Sequence, residues 1–240
     1  MIQLTLDPNH EAARQQIERF VQRFEPSYRQ LAYYAALPLV LTPELLNYLR
    51  CQFLGKAGVP WVAETDLLLS DLCHPVGYEQ YAIEPSVRAF LLSEMEQVIG
   101  RSQMQAVARL LLSYVRQLAL ANPDTLRHQE LENQQMAAMV YLDDQRETVV
   151  QQLSAAYQAC ADVGKISIEM AQAVQSKLDQ LVRMTQEMSS QLRDYPALVA
   201  YAELLRRLLD NPNQVEAELL TQRFEVSPGM QLAVPPVLVT

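Results

Sequence analysis

The chain has 240 residues, half of them hydrophobic, with a formal net charge of −9. That length holds one large domain or two small ones, and the apolar fraction supports a buried core rather than disorder. An acidic balance without a basic run disfavours contact with phosphate backbones, and no run of 18 apolar residues reads as a membrane span.

The elements read in chain order as mainly helical. "MIQLTL" is a short strand or a mobile end. Asp7 and Pro8 then read as the N-cap and first position of a helix with Ile17, Phe20, Val21 and Phe24 on one face. A very apolar second helix ends near Pro38. Thr42, Pro43 and Glu44 carry a strong helix-start signal, followed by core-facing Leu45, Leu46, Leu49 and Phe53, with Gly55 as a C-cap. "VPWVAETDLLLSDL" is a short helix with Trp61 near its entry. In "HPVGYEQYAIEP", Gly77 permits a tight turn, and Tyr81 and Ile83 alternate with Gln80 and Ala82 as in a brief strand. Pro85 opens another helix carrying Val87, Phe90, Leu91, Met95 and Val98.

Helix, helix, short hairpin, helix is the order of a winged-helix unit, over about residues 43–99. After Gly100 the pattern becomes long helices. Between Pro123 and Pro196 there is no proline, and Gly164 is the sole glycine. The periodicity predicts helices over about 126–142, 144–162 and 166–192. The last carries Ala171, Val174, Leu178, Leu181, Thr185, Met188 and Leu192 at heptad spacing. This seam reads as packed within its own bundle, because one containing Ala and Thr is weak for an intermolecular coiled coil. Asp194 is the expected cap of a final amphipathic helix, stopped by "NPN". In the tail, Met230, Leu232, Val234, Val237 and Val239 follow a two-residue pattern broken by prolines. It reads as an edge strand or extended linker, ordered by a neighbour and leading into a further C-terminal domain. The expected organisation is therefore a helical domain over 1–100, a helical bundle over 101–225, and an extended tail over 226–240.

Catalytic and metal constellations are not evident. His10, His74 and His128 lie far apart, and "NHEAAR" lacks the second histidine of a zinc-binding helix. Cys73 beside His74 would need two further ligands. Cys51, Cys73 and Cys160 form no CxxC and read as free, buried thiols in a reducing cytoplasm. The six glycines are scattered and make no phosphate loop. Asp143, Asp144 and Glu147, with Arg146 among them, read as a helix junction whose aspartates cap the next helix, rather than as a carboxylate pair flanking a cleft. Tyr33, Tyr34, Trp61, Tyr78 and Tyr81 could form an aromatic patch, although core packing is the stronger reading.

The segments "LPLVLTPELLNYLRCQFL", "VPWVAETDLLLSDLCHPVGYEQYAIEPSVRAFLL" and "QQMAAMVYLDDQRETVVQQL" together resemble the N-terminal region of large multidomain bacterial conflict and signalling proteins. In that group a helical module precedes varied C-terminal modules. These include formylglycine-generating-enzyme-like domains of C-type-lectin fold, some of them variable proteins of diversity-generating retroelements, and NACHT-type ATPase or WD-repeat regions. The middle segment also resembles winged-helix regions of STAND-class signalling ATPases, with Val87-Arg88 on the helix and Tyr78, Tyr81 and Ile83 in the wing. The chain departs from those ATPases in having no nucleotide-binding loop.

The resemblance implies a non-catalytic, cytoplasmic protein-interaction module, monomeric by itself, with no cofactor or metal. It would couple a C-terminal recognition domain to a protein partner such as a signalling ATPase or a protease-type effector, without nucleic acid or membrane. Trp61, Tyr78, Tyr81 and Arg88 are the candidate interaction surface. The alternatives are a winged-helix DNA-binding domain, whose recognition helix at about 64–72 carries Glu64, Asp66 and Asp71 but no Arg or Lys, and an enzyme of unrecognised chemistry.

Overall fold

A computed structural model describes residues 8–121, 128–162, 168–211, 215, 217–227 and 229–238. Among the described residues the fold is mainly α, with two small antiparallel hairpins. It divides into two units, Met1–Ala138 and Met139–Thr240. The division thus falls after Ala138, whereas the change of sequence texture pointed to Gly100. Among the described residues no helix is long and apolar enough to cross a membrane.

The first unit begins with α1 (Pro8–Arg23) and α2 (Ser27–Ala35). The proposed cap Asp7 lies outside the described residues, as does "MIQLTL". Ile17 and Phe20 of α1 and Tyr28, Leu31 and Tyr34 of α2 are buried. The half-buried Arg29 holds Glu94 through Nε and Nη2, both at 3.1 Å.

Helix α3 (Pro43–Leu49) starts as its sequence signal predicts. Thr42 is extended, and its hydroxyl accepts the Leu45 N–H at 3.2 Å. The chain then loosens into a π-turn, Arg50–Leu54, where Phe53 stacks on Tyr34 at 5.1 Å. Gly55 is the C-cap of this turn, as read, but at φ −57° it is right-handed. The left-handed residue of this loop is Gly58, at φ +73°.

Helix α4 (Val62–Leu68) precedes a hairpin of β1 (Cys73–Gly77) and β2 (Gln80–Ile83), and α5 (Pro85–Val98) follows. Cys73 faces Ile83, and the register shifts between Pro75 and Gly77, a bulge at Val76. The hairpin is not isolated: Leu41 bridges to Tyr81, with N–H···O distances of 2.7 and 2.9 Å. Ile83 is 5% exposed. The order of helices and hairpin matches the sequence expectation, while the Leu41 bridge extends the arrangement N-terminal to residue 43. Helices α6 (Arg101–Ala121) and α7 (His128–Met139) follow, with Met104, Val107, Leu111 and Val115 inward on α6.

The second unit is built on α8 (Arg146–Ala161), α9 (Ile168–Glu187) and α10 (Pro196–Asp210), with a short α11 (Ala217–Leu220). In the predicted seam, Leu178, Leu181, Thr185, Met188 and Leu192 are buried within this unit, while Ala171 and Val174 are half-buried. The helix stops at Glu187, so Met188 and Leu192 are buried from the turns that follow. Thr185 donates to the Leu181 carbonyl and shares a 2.9 Å hydrogen bond with the Tyr157 hydroxyl, so its buried polar group is satisfied. The cap of α10 is Tyr195, without a side-chain bond, and not Asp194, which is exposed.

The C-terminal segment corrects the expectation of an extended tail ordered only by a neighbour. It forms a hairpin of β3 (Phe224–Ser227) and β4 (Met230–Leu232), with Phe224 opposite Leu232 and Gly229 at φ +80°. Phe224, Val226, Leu232 and Val234 are buried, and the Tyr201 hydroxyl donates to the Ala233 carbonyl at 2.9 Å. The two-residue alternation supplies one apolar face, and α8 and α10 cover it. Pro235 and Pro236 fall after the strand and so leave its ladder intact. Val239 lies outside the described residues.

Candidate interaction site

The four sequence-selected residues separate. Trp61, at the entry of α4, is 72% exposed, and Tyr78, in the hairpin turn, is 83% exposed. Tyr81 is half-buried, and its backbone pairs with Leu41. Arg88 is not a surface residue. It is 3% exposed, and Nη2 donates to the Leu37 carbonyl at 3.0 Å, so a buried guanidinium supports the chain just beyond α2. The sequence showed Arg88 as a charge on a helix; its side-chain direction depends on how α5 packs. Tyr33 and Tyr34 are in the core, as the packing reading expected.

The hairpin turn explains Tyr78. Gly77 pairs with Gln80, so Tyr78 and Glu79 form a two-residue turn. The left-handed position is Glu79, at φ +51°, rather than Gly77. A side-chain-bearing residue there carries strain on the order of 1 kcal/mol. The turn holds Tyr78 away from the core.

Beside this turn is a groove of about 540 Å³. Its floor is apolar, with Val40, Leu45, Leu111, Val115, Leu118 and Leu131. Tyr114 and Thr42 also line it, their hydroxyls 3.5 Å apart, and so does Tyr78. One helical face of α6 supplies Leu111, Tyr114, Val115 and Leu118. Gln134 of α7 fixes the opposite wall. Its Oε1 accepts the Leu39 N–H at 2.8 Å and its Nε2 donates to the Val40 carbonyl at 2.6 Å. That paired bond ties α7 to the segment that enters the Leu41 bridge. Sequence reasoning missed Gln134, since nothing in a helical glutamine marks it as a clamp 94 residues from its partner.

Three carboxylates, Glu44, Glu79 and Glu130, also line the groove, and all three are exposed. Among the described lining residues there is no lysine or arginine.

The acidic side chains of α4 are engaged within the unit. Glu64 pairs with Arg50 and accepts from Asn47 Nδ2 at 3.0 Å; Asp66 accepts the Tyr28 hydroxyl at 2.8 Å. Burial, reinforced by Asp66, pushes the Tyr28 hydroxyl up to about 12. The outer face of α4 carries Trp61, Val62 and Leu69, the last 72% exposed.

Chemistry elsewhere is sparse. Among the described residues no three His, Cys, Asp or Glu side chains are grouped to hold a metal ion. The three cysteines are free, but only Cys160 is buried, against the expectation for all three; Cys73 is half-buried and Cys51 exposed. Burial pushes the Cys73 thiol up to about 12, which suppresses its thiolate at neutral pH. His10 packs at 5.3 Å from the Phe90 ring. Asp143 pairs with Arg146 at 2.8 Å, and Arg146 Nε donates to the Val140 carbonyl. The α8 cap is Gln145, without a side-chain bond, so the expected aspartate cap is replaced by this arginine-centred turn. Comparison with known protein families, curated proteins and solved structures finds no match.

Proposed function

We propose that the chain is a non-catalytic protein-interaction module, of the kind that in bacterial conflict and signalling proteins would couple a C-terminal recognition domain to a partner protein. The partner would be a signalling ATPase or a protease-type effector. The observation that carries this reading is the exposure of Trp61 and Tyr78 on a unit whose other large aromatics are mostly buried or half-buried. Aromatic side chains left in water are typical anchors of protein interfaces.

The winged-helix reading gains support from the Leu41 bridge. It gives the Cys73–Ile83 hairpin a third pairing partner, from the segment between α2 and α3. In that arrangement α4 would be the helix offered to DNA. Its charged side chains are carboxylates, and its outer face presents Trp61, Val62 and Leu69. That surface favours a protein over a phosphate backbone.

The test is a photo-crosslinking amino acid placed at position 61 or 78 in cells of the source organism. A discrete protein adduct from both positions, absent when the probe replaces exposed Arg183 of α9, supports the reading. Adducts to nucleic acid, or the same adducts from all three positions, overturn it.

A further inference from the structure

Resting on the reading of the first unit as a protein-binding module, we infer that the groove beside the hairpin turn receives an amphipathic helix of the partner, apolar on one face and flanked by lysine or arginine. Three observations select this occupant.

The first is charge. Glu44, Glu79 and Glu130 come from three separate elements, α3, the hairpin turn and α7, and converge on one groove. Among the described residues none of the three is in an ion pair, and no cationic side chain lines the groove. The complementary flank is therefore cationic, which sets register and speeds encounter.

The second is the floor. Leu118 and Leu131 are half-buried, and they lie on two different helices. A volume of about 540 Å³ admits more than one large side chain. A groove walled by helices and floored with leucine suits anchors at i, i+4 and i+7 of an entering helix. Tyr78 stands at the lip, 83% exposed, where a bound helix would cover it.

The third is the hairpin itself, which is poorly suited to accept an added strand instead. Leu41 already pairs with β2 at Tyr81, and β1 contains Pro75, which has no N–H to donate. The backbone edges are thus occupied or interrupted, and side-chain docking in the groove is the remaining mode.

The experiment uses the full chain and three fluorescent peptides of about 18 residues, long enough to present the i, i+4 and i+7 anchors. One carries leucines at helical spacing with lysine flanks, the second has the same leucines with glutamate flanks, and the third scrambles the first. Fluorescence anisotropy should show saturable binding of the lysine-flanked peptide, about tenfold or more tighter than the glutamate-flanked one. The combined Glu44→Gln, Glu79→Gln and Glu130→Gln variant should close that gap while melting like the wild type. Leu131→Ala should weaken both leucine peptides.

Equal binding of the lysine-flanked and scrambled peptides would overturn the groove, as it would reduce the effect to net charge. So would an undiminished gap in the triple variant, or no binding of any peptide. If the groove fails in these ways while the adducts from positions 61 and 78 persist, the error lies in the occupant. If those adducts are also absent, the interaction-module reading has failed as well.

Discussion

Removing the side chain of Leu232 should destabilise the second unit strongly. Leu232 is 0% exposed and faces Phe224 across the β3–β4 pair. A leucine-to-alanine change at such a site costs about 2–5 kcal/mol, from lost transfer energy plus the cavity left behind. Leu232→Ala belongs toward the middle of that range, about 3 kcal/mol, because a two-stranded hairpin can relax into part of the space. Tyr201→Phe probes the same hairpin differently. The ring stays, but the Ala233 carbonyl loses its 2.9 Å donor, for about 1–2 kcal/mol. The assay is urea unfolding followed by far-UV circular dichroism, with the denaturant slope held equal across variants. If the segment were only an appended tail, both variants would lie within about 0.5 kcal/mol of wild type. That result, together with rapid amide exchange across 224–232, would refute the packing argument.

Ile83→Asp places a charge at a 5% exposed position and should cost on the order of 3 kcal/mol; a wild-type melting curve would mean that the hairpin does not seal the first unit's core. Leu181, 3% exposed, lies inside the second unit, so sedimentation at micromolar concentration should give a monomer and Leu181→Asp should unfold that unit; a dimer that the substitution splits into folded monomers would contradict this. Burial and the neighbouring carboxylates raise the Tyr28 and Tyr33 hydroxyls to about 12, above the unfolded value of about 10. A group whose folded pKa is raised keeps its contribution below the unfolded pKa and loses it as pH rises through the folded one. Stability should therefore fall between about pH 10 and 12, with tyrosine ionisation by absorbance tracking loss of circular dichroism; full ionisation without unfolding would be inconsistent with buried tyrosines.

Local signals in the sequence carried most of the helices. Thr42-Pro43-Glu44 started α3 as read, the spacing of Leu178, Leu181 and Thr185 marked a buried stripe, and Tyr81-Ala82-Ile83 announced a strand. The losses were non-local. Whether Asp194 or Tyr195 caps α10 depends on where the preceding turns end, and Asp143 turned to Arg146 instead of a helix terminus. Pro235 and Pro236 suggested an unpaired strand, yet they follow β4, and the apolar face of the hairpin found α8 and α10. At the site, Trp61 and Tyr78 were read both as candidate surface and, with the other aromatics, as core; their exposure bears out the surface reading and corrects the packing one, while Arg88 read as surface and is core. Gln134 and the convergence of Glu44, Glu79 and Glu130 depend on the packing of the first unit, which no local window of sequence contains.

The most direct test of the interaction account is a hydrogen-exchange footprint of the chain with and without the protein captured from positions 61 and 78. The account predicts slowed exchange in the hairpin over 73–83 and in the groove-lining parts of α6 and α7, around 111–118 and 130–134. Exchange unchanged in all of these segments, with protection confined to 139–240, would contradict it.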